Sequence, residues 1–119
     1  MDQSFPQNER LKSPQRISEI YTSGKKLKHS FFLLFYLKGE EEQHRMAFAV
    51  PKRKIASAVG RNRIKRKLRE IYRLHKEVLP KEAPQDFVLL FLGAADADYQ
   101  KLEKAYLKLW EKWHNAPKV

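Results

Sequence analysis

Residues 52–76 carry eleven lysines and arginines and a single acid, Glu70. A stretch with net charge +10 cannot be buried on every side, so its fold must leave one side to solvent or to a polyanion. Helical spacing shows how it can also serve a core. At about 100° per residue, Ile64, Leu68, Ile71, Tyr72 and His75 fall within an arc of about 100° that starts near Arg61. Asn62, Lys65, Arg66, Arg69 and Arg73 fall in a neighbouring arc of similar width. The segment therefore predicts a long helix over residues 58–77, with one flank for packing and the next presenting cations. The rest of the chain holds 14 basic and 13 acidic residues, so nearly all of the net +11 lies in this one segment. A plain solvated helix face would mix signs, because unlike i,i+4 pairs stabilise exposed helices and like pairs cost energy. Like charges stacked without relief point instead to a polyanionic partner, nucleic acid or an anionic membrane surface.

The whole chain, 119 residues, suits one domain with a modest core. Residues 1–12 lack periodicity and read as a loosely ordered arm. Ser13-Pro14 predicts a helix start, a Ser cap followed by Pro at the first helical position. Ile17, Ile20 and Tyr21 continue at helical spacing, and Gly24 can end the helix in a left-handed conformation. Residues 25–29 read as a basic connection. Residues 31–37 (FFLLFYL) form an aromatic-rich run that suits a strand, and residues 45–50 a second strand. The polar turn between them suggests an antiparallel hairpin. Residues 86–92 (DFVLLFL), apolar on both faces, read as a central strand. Asp96 or Asp98 can cap a last helix whose stripe is Tyr99, Leu102, Tyr106, Leu109, Trp110 and Trp113. Helix, strands, helix, strand, helix is an α+β sandwich.

Several chemistries find little support. No cysteine is present, which excludes disulfides and thiolate metal sites and fits a reducing, cytoplasmic setting. The first residues lack the basic start and apolar core of a secretory signal, and the apolar run at 31–37 is too short to cross a bilayer. His29, His44, His75 and His114 are scattered without metal-ligand spacing. Glu40-Glu41-Glu42 reads as a solvated turn, and no Ser/His/Asp, Cys/His or P-loop arrangement occurs. What stands out is the basic loop Lys52-Arg53-Lys54 running into a helix that opens with Arg61-Asn62-Arg63. Arginine forks bind phosphate oxygens in pairs, lysines add point charge, and a helix start adds free N–H groups. Asn62 can reach a base edge or a 2′-hydroxyl.

The string Arg61-Asn62-Arg63-x-Lys65-Arg66-x-x-Arg69-Glu70 resembles the RNR signature of bacterial ribonuclease P proteins. As in that family, it follows a strand ending in Val50-x-Lys52-Arg53 and then Ala58-Val59. Arg10-Leu11-Lys12, Ile17, Ile20-Tyr21 and Gly24 fit the family's arm and first helix. The resemblance covers about residues 8–113. Departures are Ala47 where Gly is common, Ile17 in place of an aromatic, and a Lys-Arg-Lys loop after Pro51 without the usual following Gly.

The resemblance implies one domain over residues 1–119, built on an antiparallel-dominated four-stranded sheet in the order α-β-β-β-α-β-α. It also implies a left-handed βαβ crossover, against the usual right-handed rule. It implies a subunit that binds the catalytic RNA of ribonuclease P and precursor tRNA and assists removal of the 5′ leader. Cutting would fall to the RNA subunit with its bound Mg2+, with no catalytic or metal-binding residue in this chain. RNA contacts are implied for Lys52, Arg53, Lys54, Arg61, Asn62, Arg63, Lys65, Arg66 and Arg69. A cleft for the unpaired leader is implied at Ile17, Tyr21 and Phe35, since aromatic faces stack on any base. Core packing is an equal reading for those aromatics, and alternation leaves Phe32, Phe35 and Tyr36 unassigned to faces. No membrane and no obligate protein partner are implied. The rivals are a ribosomal or ribosome-assembly protein, a self-sufficient nuclease and a membrane-surface protein. The last would need an exposed apolar helix face that the core here consumes.

Overall fold

Ser13 caps the first helix through its hydroxyl, which accepts from Arg16 N at 3.2 Å, and Pro14 takes the first helical position. The computed structural model describes residues 5–116. In chain order the elements are α1 (Pro14–Ser23), β1 (Lys25–His29), β2 (Phe32–Lys38), β3 (Arg45–Ala49), α2 (Ala58–Leu74), β4 (Gln85–Phe91) and α3 (Tyr99–Asn115). Short 3₁₀ turns cover Gln7–Glu9 and Lys76–Val78. The α-β-β-β-α-β-α order is the one that the family resemblance implies.

The strands form one sheet in the order β1-β2-β4-β3. β1 pairs with β2 and β2 with β4, both antiparallel, while β3 runs parallel to β4. β4 is central, as its apolar faces predict. β3 and β4 are joined through α2, which makes the βαβ crossover. The hairpin expected between residues 31–37 and 45–50 does not form, because β4 lies between β2 and β3. The real hairpin joins β2 to β1, the segment that reads as a basic connection. Its loop is Ser30-Phe31, with Ser30 at φ 54°. β1 escapes a hydrophobicity reading because three of its five residues are lysines and only Leu27 joins the core. Lysines are what an edge strand carries to discourage further pairing.

Gly24 also differs from expectation. It ends α1 with φ −76°, an ordinary value rather than a left-handed one. Glycine is needed there for space, since a Cβ would stand 2.4 Å from the Ile20 carbonyl oxygen and 2.8 Å from that of Tyr36. α2 stops at Leu74, three residues before the expected end, and turns through His75 into the 3₁₀ segment. Asp98 caps α3, accepting from Lys101 N at 2.8 Å.

Pairing register resolves the faces of FFLLFYL. Phe32, Leu34 and Tyr36 point with Phe87, Leu89, Phe91 and Met46 toward α2 and α3, into a core that holds Ile64, Leu68, Ile71, Trp110 and Trp113. Leu33, Phe35 and Leu37 point the other way with Val88 and Leu90, where α1 supplies Ile17 and Ile20. α1 is one short helix and leaves that face partly open, with Leu33, Ala47, Ala49 and Leu90 only half-buried. The described part of the arm is tied down rather than loose. Leu11 is buried, its N–H donates to Met46 O at 3.1 Å, and Glu9 accepts from Tyr72 Oη at 2.5 Å.

Candidate nucleic-acid interface

The loop that leads into α2 is fixed by its own backbone. Lys54 N and Ile55 N both donate to Pro51 O at 3.1 Å, and Ile55 is buried. Ser57 then caps α2, accepting from Gly60 N at 3.2 Å. Gly60 lets Ile55 reach the helix, for a Cβ there would meet the Ile55 Cγ2 at 2.8 Å. Lys52, Arg53 and Lys54 are thereby held outward, all exposed.

Arg61 is bound to this loop rather than free. Its Nη1 donates to the carbonyls of Ile55 at 2.9 Å and Ala56 at 2.8 Å. Asn62, Arg63, Arg66 and Arg69 are exposed, and Lys65 is half-buried. Among the described residues, the side chains of Arg63, Lys65, Arg66 and Arg69 make no hydrogen bond or ion pair. Arg73, further along the same flank, is engaged by Glu70 at 2.6 Å. No acid stands in the first turn of α2. Cations crowd its N-terminal half, where the helix dipole disfavours them. This arrangement costs the free protein stability and is relieved by an anion.

The three residues expected in a cleft do meet. The Tyr21 and Phe35 rings lie edge to face, 4.8 Å between centroids, and Ile17 packs on the same cluster. Their exposures differ. Phe35 is only 7% exposed, whereas Tyr21 is 37% exposed. Tyr21 therefore offers the free aromatic surface, and Phe35 is the floor that sets its angle. Burial raises the Tyr21 phenol above its ordinary pKa, so it stays a neutral hydrogen-bond donor at physiological pH. Lys26 Nζ lies 5.6 Å from the Phe35 ring centroid and adds a cation to the rim.

A cleft of about 410 Å³ links this region to α2, with Arg10, Lys12, Ile17, Ala47 and Arg69 among its lining residues. Arg69 from α2 and Ile17 from α1 thus line one cleft. Arg10 and Lys12 escaped notice as site residues because two cations in a short arm carry no periodic signal. A second unforeseen feature is a buried ion network. Asp86 is fully buried and accepts from Arg16 Nε at 2.8 Å and from Arg45 Nη2 at 2.7 Å. Burial alone would raise its pKa, but the bonds from Arg45 and Arg16 outweigh that and hold it below the usual carboxylate range. Arg16 Nη2 also donates to Lys38 O at 2.6 Å, which pins α1 to the sheet. An acid opening an otherwise apolar central strand was the available signal. Glu40 sits in the same network, 3.2 Å from Arg45. Among the described residues no group of three or more His, Asp or Glu could hold a metal ion.

A half-open sheet face, an exposed tyrosine and a cationic crossover helix define a small basic α+β protein of the nucleic-acid-binding class. A family model described as Ribonuclease P matches residues 5–114. A ribonuclease P protein component from Dictyoglomus turgidum is 36% identical over 110 residues, covering 91% of each chain. The solved RNase P protein from Thermotoga maritima superposes with a TM-score of 0.75 at 26% identity, over 87% of this chain and 96% of that one. The Staphylococcus aureus RNase P protein, at 23% identity and a TM-score of 0.74 over 87% and 93% of the two chains, supports the fold. The chain belongs to the ribonuclease P protein family.

Proposed function

We propose that this ribonuclease P protein holds two RNAs at once, the catalytic RNA on α2 and the 5′ leader of precursor tRNA in the cleft beside α1. The observation that carries this reading is the set of uncommitted cations Arg63, Lys65, Arg66 and Arg69 on one flank of a helix whose other flank is in the core. Arg69 also lines the passage toward Ile17, so the two surfaces are continuous.

In this reading Arg63, Arg66 and Arg69 bind phosphates of the catalytic RNA, with Lys65, Lys52, Arg53 and Lys54 beside them. Asn62 orients one contact at the helix start. Arg61 acts indirectly, by holding the 52–57 loop in place. An unpaired leader base stacks on Tyr21, while Lys26 and Lys12 neutralise adjacent phosphates. The holoenzyme hydrolyses the phosphodiester and leaves a 5′-phosphate on the mature tRNA, in the cytoplasm. Magnesium and the bond-breaking step belong to the RNA subunit in this scheme. The described residues offer no converging donor set, and no step is assigned to a side chain of this protein.

The test is reconstitution with ribonuclease P RNA and precursor-tRNA cleavage at low magnesium. Wild-type protein should restore cleavage that the RNA alone performs poorly, and the protein alone should not cut. Tyr21→Ala should weaken binding of leader-bearing substrate by about 1–3 kcal/mol and leave leaderless tRNA unaffected. Arg63→Ala should instead weaken assembly with the catalytic RNA at every leader length. Equal loss for both substrates in Tyr21→Ala, with folding intact, would remove Tyr21 from the leader site.

A further inference from the structure

Outside residues 52–76 the near balance of charge conceals a segregation. Glu40, Glu41 and Glu42 lie in the loop before β3, and Glu77 and Glu82 lie between α2 and β4. Lysines gather on the opposite sheet edge. Lys25, Lys26 and Lys28 of β1 and Lys101, Lys104, Lys108 and Lys112 of α3 are all exposed. At about 100° per residue the four α3 lysines fall within an arc of about 80°. Lys112 Nζ donates to Lys28 O at 2.6 Å and so joins the helix lysines to those of the strand.

This flank does not behave as an ordinary solvated face. Lys104–Lys108 and Lys108–Lys112 are like-charge i,i+4 pairs, which cost helix stability. Glu103 does not relieve them, being engaged by His75 at 2.7 Å, which leaves only Glu111 exposed among the acids of α3. The side-chain amines of Lys25, Lys101, Lys104 and Lys108 make no hydrogen bond or ion pair among the described residues. The buried face of α3 holds Leu102, Tyr106, Leu109, Trp110 and Trp113, so no apolar stripe is left to enter a membrane. Lys26 belongs to both surfaces, lying over the Phe35 ring of the cleft and on the β1 edge.

We propose that the β1–α3 flank is a second phosphate-backbone surface, on the sheet edge opposite β3, which takes RNA continuing past the Tyr21–Phe35 cleft. The inference rests on the reading of that cleft as an RNA site. The ligand is a chain of phosphates, supplied by the far end of a long leader. Lysine suits this task because it tracks a backbone as mobile point charge without demanding one geometry.

The test uses the full chain with Lys104→Ala/Lys108→Ala. Alanine favours the helix and removes like-charge repulsion, so this variant should melt no lower than wild type. Reconstituted holoenzymes are compared for binding of precursor tRNA with short and with long leaders over a range of salt, and for assembly with catalytic RNA alone. If the flank takes leader, the affinity gained by lengthening the leader should fall several-fold. The log–log salt slope for the long leader should then become shallower by about 1.4, roughly 0.7 per lost contact to a single strand. Weakened assembly with catalytic RNA whatever the leader, with the gain from leader length intact, overturns the proposal. No change in either assay overturns the proposal, as does lost binding to phosphatidylglycerol vesicles with both RNA assays unchanged. Tyr21→Ala is run alongside. A loss there on leader-bearing substrate without one in the lysine variant sinks only the flank, and the reverse sinks only the reading of the cleft.

Discussion

Asp86 shows how one side chain can tie α1 to the sheet. Its carboxylate is completely buried, and its charge is met by Arg16 from α1 and Arg45 from β3. Asp86→Ala would leave two guanidinium groups facing each other across the gap. Loss of one partner of a buried pair costs about 3–5 kcal/mol, and chemical denaturation should show a loss of that size. The pH dependence has a definite sign. The folded-state pKa of Asp86 is depressed, so its contribution is complete above about 3.9, the unfolded carboxylate value, and disappears as pH falls through the lower folded value. An acid titration should show the wild type losing stability from about pH 4 downward, with that component absent from Asp86→Ala. The same scale separates Arg61 from Arg63, two residues the sequence presents as equals. Arg61 donates to two loop carbonyls, and hydrogen bonds from charged donors contribute about 1.5–3 kcal/mol, so Arg61→Ala should lower the melting temperature. Arg63→Ala should not lower it, and should weaken RNA binding alone. A melting temperature untouched by Arg61→Ala would return Arg61 to the direct RNA contacts.

At the scale of elements, legibility followed burial pattern. α2 could be read because each flank repeats at helical spacing, and α3 because its aromatic stripe does too. β4 could be read because both of its faces are apolar. β1 could not, since an edge strand of lysines with one inward leucine looks like a loop. The pairing of β2 was misread for a related reason. Chain proximity favours a β2–β3 hairpin, and nothing local announces that β4 inserts between them after the α2 crossover. That insertion places β3 at the sheet edge, where Leu11 of the arm donates to Met46 O, and brings Arg10 and Lys12 beside Arg69. The cations of α2 were therefore legible, while the wall they share with the arm was a product of topology. Arg66→Ala/Arg69→Ala tests α2 as a unit. Affinity for catalytic RNA should fall steeply with salt in the wild type, and the double variant should show a shallower slope by roughly one to two released counterions. An unchanged slope would mean that these arginines face solvent in the complex.

For the whole molecule, a net charge of +11 on 119 residues sets two opposing responses to salt. In the free protein, like charges on α2 and on the β1–α3 flank repel within the folded state, and the repulsion relaxes on unfolding. Salt screens that repulsion within a Debye length, about 10 Å at 0.1 M, so the melting temperature of the free protein should rise with ionic strength. Bound RNA supplies the same relief by contact, and it stabilises by mass action. At a hundredfold excess over Kd the gain is about 2.7 kcal/mol, which for a chain of this size corresponds to a shift of roughly 10 °C. Because RNA affinity falls as counterions accumulate, that shift must shrink with salt while the free protein's melting temperature climbs. Scans of protein with and without ribonuclease P RNA across a salt series should therefore converge. RNA-induced stabilisation that held constant or grew with salt would mean that base stacking and shape, rather than phosphate contact, dominate the complex. The weight of catalytic-RNA recognition would then move from the arginines of α2 to base contacts such as Asn62 can make.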